Sequence, residues 1–85
     1  MQIEVRKGET VTRHTANLLV PIRSERSIMI QLIGDSRPIS RIAADFEEPD
    51  DIITDDGRSF PEYKEPIVVY RVDTDTVQIR IREVA

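Results

Sequence analysis

The residues Val68-Val69-Tyr70-Arg71-Val72-Asp73-Thr74-Asp75-Thr76-Val77-Gln78-Ile79-Arg80-Ile81 hold two β-branched runs on either side of an Asp-Thr-Asp break. Side chains alternate between the two faces of a strand, so Val68, Tyr70 and Val72 are expected on one side, and Val77, Ile79 and Ile81 on the same side of the returning strand. Asp73-Thr74-Asp75 supplies the reversal. The unit reads as a C-terminal hairpin, with Gln78, Arg80 and Arg82 on the opposite face and Arg71 on the corresponding face of its partner strand.

The period of two continues upstream. Ile3 and Val5 alternate with Glu4 and Arg6, and Lys7-Gly8 turns the chain into Thr10, Val11 and Thr12, giving a second hairpin. Leu18, Val20 and Ile22 form one face of a third strand, where Pro21 lacks a ladder donor and marks an edge or a bulge. Ile28, Ile30 and Leu32 make a fourth, closed by Gly34-Asp35-Ser36. Ile39 to Phe46 reads either as a strand showing Ile42, Ala44 and Phe46 on one side or as a short helix started by Pro38; the alternation favours the strand. Glu47 to Asp51 reads as a loop, Asp55-Asp56-Gly57 as a hairpin turn, and Pro61 and Pro66 bracket a further loop. The sum is a single all-β domain over residues 1–85, six to eight short and mostly antiparallel strands in a small barrel or a two-sheet sandwich.

Eighty-five residues are near the size at which one core is only marginally stabilising. Two Phe, two Tyr and no Trp leave that core to Ile, Val and Leu. Association that buries more apolar surface, at roughly 25 cal/mol per Å², is a natural supplement, and the strand with Pro21 is one candidate edge. No Cys is present, so disulfides and thiolate metal sites are excluded. Apolar runs such as Ile28 to Ile33 are too short to span a bilayer, and the N-terminus lacks the regions of a signal peptide. A soluble, cytoplasmic protein is expected, or a virion-associated one if the source is viral.

Charge is distributed unevenly. Met1 to Arg41 hold seven Lys/Arg against four Asp/Glu, whereas Ile42 to Pro66 hold two against nine, within a total of −4. Seven carboxylates, Asp45, Glu47, Glu48, Asp50, Asp51, Asp55 and Asp56, fall in twelve residues that contain no base. A calcium loop of the EF-hand type does not fit: with Gly57 as its glycine, the closing position is Tyr63 and the first is Ile52. A solvated loop and turn is the plainer reading, and no metal or cofactor is implied.

Catalytic apparatus is sparse. His14, the only histidine, sits in Thr12-Arg13-His14-Thr15 with no motif around it and is expected at a strand end on the surface. An enzyme would need a pocket joining it to a carboxylate. The three glycines stand alone, so there is no phosphate-cradling loop. A β-barrel binding nucleic acid would use Arg71, Arg80 and Arg82, with Arg6, Arg13, Arg23 and Arg26 added, but no aromatic stacking platform interleaves with them.

Ala44-Asp45-Phe46-Glu47-Glu48-Pro49, followed by an Asp-rich turn and a C-terminal hairpin, resembles short segments of the small tailed-phage head-to-tail joining proteins, which are β-rich and assemble into rings. The resemblance covers about six residues, carries over no functional residue, and implies assembly. The expected function is therefore non-enzymatic: a protein interaction or assembly module, of a kind found among small phage structural or accessory proteins. It would bind a protein partner or its own copies through the acidic loop 45–56 and the face bearing Arg71, Arg80 and Arg82. Head-to-tail contact between the two would give a ring or filament, and pairing through an edge strand a two-fold dimer. The alternatives are a small β-barrel that binds nucleic acid and an acidic-loop inhibitor of another protein.

Overall fold

Alternation and turn chemistry place six strands in residues 1–84, the part described by this computed structural model. They are β1 (Gln2–Lys7), β2 (Thr10–Ile22), β3 (Ser27–Ile33), β4 (Asp51–Thr54), β5 (Tyr63–Asp73) and β6 (Thr76–Glu83). One helix, α1 (Ile39–Asp45), and a 3-10 turn at Arg23–Glu25 complete the set. All pairings are antiparallel, in one sheet of order β4-β1-β2-β3-β6-β5. The all-β class and the six strands are as expected. Of the two expected architectures the barrel does not form, because β4 and β5 remain edges.

One face of the sheet holds the core. Ile3 and Val5 of β1, Ala16 of β2, Ile28, Ile30 and Leu32 of β3, Ile52 of β4, and Val77, Ile79 and Ile81 of β6 pack with Ile42 and Phe46 from α1 and the residue after it. These apolar side chains recur at every second position along their strands, as a half-buried strand requires. Ile39 to Asp45 is helical, not extended. Ile42 and Phe46 are four apart as well as an even number apart, and the i, i+4 spacing puts both onto one helical face. The carbonyl of Pro38 accepts from Arg41 and Ile42 N–H and starts the turn.

Bulges changed two of the expected faces. The third strand is continuous with the second, and the register shifts between Leu18 and Val20. Leu18 therefore packs on the core, while Val20 turns outward and is 55% exposed. Pro21 lies where β2 runs beyond its pairing with β1, which ends at Thr15, so its missing donor faces an open edge. In β5 the register shifts between Arg71 and Asp73, next to the turn, and again between Pro66 and Val68. Pro66 is inside the edge strand instead of in a loop, and Val69, not Val68, Tyr70 or Val72, packs against the core. A shift of one residue exchanges the two faces.

The expected turns are present. Gly57 adopts φ +91° and its N–H reaches the carbonyl of Thr54, closing the turn after β4. No helix among the described residues is long and apolar enough to cross a membrane.

Candidate interaction surface

The acidic segment is used mostly inside the chain. Asp45 pairs with Arg37 at 2.8 Å, and Asp50 accepts from the Gly8 N–H at 2.7 Å, fastening the β1–β2 turn. Asp51 accepts from Ser59 Oγ at 2.8 Å and from the Phe60 N–H at 3.2 Å. Asp55 accepts from the Gln2 N–H at 2.9 Å. Asp56 pairs with Arg58 at 2.7 Å and accepts from Thr54 Oγ1, and these bonds, Arg58's first, hold its carboxyl down at about 2. Glu47 and Glu48 alone, both exposed, have no side-chain partner among the described residues. Carboxylates are strong acceptors for backbone N–H groups at turns, and a segment of turns uses them that way.

His14 is not at a surface strand end. It lies mid-strand in β2 opposite Ile3, 7% exposed, with its ring 5.4 Å from that of Phe46. Its Nδ1 is 3.4 Å from Arg37 Nη2 and 3.6 Å from Asp35 Oδ2. Arg37 also binds Asp35 at 2.7 Å, and Arg71 donates to the carbonyls of Asp35 and Arg37. Burial, then the Arg37 charge, lowers the His14 pKa, against the pull of Asp35 and Asp45. The hydrogen bonds from Arg37 hold the Asp35 carboxyl below its ordinary range.

A cleft of about 510 Å³ adjoins this cluster, so a pocket does join His14 to a carboxylate. The ring is nevertheless sealed. Its side chain is 5% exposed, its Nε2 is buried with no partner, and no hydroxyl hydrogen-bonds to it among the described residues. Arg37 supplies the guanidinium that a bound anion would need, and that group is already held by Asp35 and Asp45.

Arg71 therefore leaves the expected arginine face. It pairs across from Val77, on the core side of β5, and closes the polar cluster. Arg80 and Arg82 stay on the outer face, each beside a carboxylate: Arg80 with Glu25 at 3.1 Å and Arg82 with Glu65 at 2.7 Å. Arg80 Nε is buried without an acceptor among the described residues.

Cross-strand partners share a face, so the ladder gives the outer face row by row. One row runs Val20, Met29, Arg80, Val68 across β2, β3, β6 and β5. The next runs Asn17, Gln31, Gln78, Tyr70. Tyr70 Oη donates to Gln78 Oε1 within it. Val68, Tyr70 and Val72 are 39%, 43% and 52% exposed, with Leu19 and Ile33 at the margins also exposed. β2, β3 and β5 thus carry apolar side chains on both faces, while β6 presents Thr76, Gln78, Arg80 and Arg82 outward. Sequence reasoning missed this surface because it assigned Val68, Tyr70 and Val72 to the core. The adjacent pair Val68-Val69 was the available sign, since either parity of that run can face inward.

The resemblance to phage joining proteins rests on residues that form the end of α1 and the loop after it. Comparison of the chain with protein-family models, with curated proteins and with solved structures finds no match in any of the three.

Proposed function

We propose that the chain is a non-enzymatic interaction module that meets another protein surface through the outer face of β2, β3, β6 and β5, with Arg80 and Arg82 in that face. The observation that carries this reading is the row Val20, Met29, Arg80, Val68 and the exposed Tyr70 and Val72 beside it, all on a sheet whose other face already holds the core. Exposed apolar side chains scattered singly need no explanation, whereas a cluster on β2, β3 and β5, bridged across β6 by the stem of Arg80, marks a contact surface. Paired charges at its centre and margin match the mixed character of such surfaces.

The other readings draw less support. An oligonucleotide would have to compete with Glu25 and Glu65 for the two arginines. An inhibitor acting through acidic mimicry, or a ring built on the acidic loop, would have only Glu47 and Glu48 uncommitted. Chemistry at His14 would need a ring nitrogen that faces solvent or substrate.

A photo-cross-linking residue at position 70, with position 9 in the β1–β2 turn as control, tests the proposal in the native cells. Protein adducts at 70 and none at 9 are expected. Equal labelling, or none at 70, would contradict it.

A further inference from the structure

The interaction reading leaves the partner open, and the chemistry of the outer face narrows it. We infer that the face binds a second copy of this chain, sheet against sheet, about a two-fold axis running along the strands between β3 and β6. This inference rests on the proposed interaction role.

Charge is the first argument. The chain carries −4 overall, so two copies repel over most of their surface. On the outer face the positive charges of Arg80 and Arg82 are matched by Glu25 and Glu65, Arg13 at the β1 margin is matched by Glu4, Asp73 adds one carboxylate at the turn end, and the centre is otherwise apolar, amide or hydroxyl. A strongly acidic or basic partner would find nothing to complement there. A copy of this face, whose central charges are paired, meets little repulsion.

Self-complementarity is the second. A two-fold axis parallel to the strands keeps each row over itself and exchanges β2 with β5 and β3 with β6. Val20 then lies over Val68 of the other copy, and Val68 over Val20, so both ends of the row meet valine. Met29 lies over the stem of Arg80, and Gln31 over Gln78, two carboxamides that can each donate and accept. An axis across the strands would place β2 over β2 and lose the valine match.

Size is the third. Four strands about 4.8 Å apart and about seven residues long give a footprint of roughly 440 Å² before side-chain relief. Specific, stable interfaces use about 600–1,000 Å² of accessible surface per partner, so this face falls below that range and suits a weak dimer.

The chain has no cysteine, which makes a pairwise test clean. Sedimentation equilibrium of the unmodified protein from about 1 µM to 1 mM should show a monomer–dimer equilibrium. Mixing Val20→Cys with Val68→Cys and adding a short bismaleimide should give a covalent heterodimer in preference to either homodimer, because like positions lie about 14 Å apart, three strand spacings. Circular dichroism of each variant checks its fold. A monomer throughout the range overturns the inference, and so does cross-linking of position 20 to position 20 in preference to 68. If the protein is monomeric yet position 70 labels a different protein in cells, the second copy is refuted and the interaction role stands; with neither, both fall.

Discussion

His14 shows how one residue couples burial to pH. Its ring is shut between Phe46, Asp35 and Arg37, and burial with the Arg37 charge brings its pKa below the ordinary 6.5. The unfolded chain therefore takes up the proton first, so stability is complete above about pH 6.5 and declines as pH falls toward the folded value. Urea unfolding at pH 7.5 and 5.5 should show this loss, and His14→Gln should reduce it. An unchanged slope in the variant would contradict the assignment. Asp35 acts in a separate window, since its pKa is lowered from 3.8 and its contribution fades only in more acid solution.

At the scale of elements, the acidic segment is a set of fasteners. Asp50, Asp51, Asp55 and Asp56 tie β4 and the turn beyond it to Gly8, Gln2, Ser59, Phe60 and Arg58. Reversing all four to Lys should lower the melting temperature and the urea midpoint, because each reversal removes a charged acceptor from a turn. Glu47→Lys with Glu48→Lys should leave the melting temperature nearly unchanged. Equal effects from the two sets, measured by thermal denaturation, would return the segment to the role of a free acidic surface. The cluster of carboxylates was plain in the sequence, but their acceptors were not, because those bonds join residues as far apart as Gly8 and Asp50. The turns and most of the core were legible for the opposite reason: Gly57, the Asp73–Asp75 break and the alternation of Ile28, Ile30 and Leu32 are local signals. The bulges at Leu18–Val20 and Arg71–Asp73 were not, since a strand's parity after a bulge depends on its partner's register. Those two bulges are also what turns Val20 and Val68 outward, so the surface was hidden together with the register.

For the whole molecule, the sheet has one face filled by α1 and its own aliphatic side chains and another that carries valine, tyrosine, methionine and paired arginines to solvent. A small domain with a thin core gains from covering such a face, since apolar area removed from water stabilises at roughly 25 cal/mol per Å². That contact depends little on long-range charge, whereas one through the acidic segment would depend on it heavily. The most direct measurement is sedimentation velocity of the unmodified protein at low and high salt. An association that persists or strengthens as salt rises is the predicted result; an oligomer that dissociates with salt would place the contact on the charged segments and contradict the account.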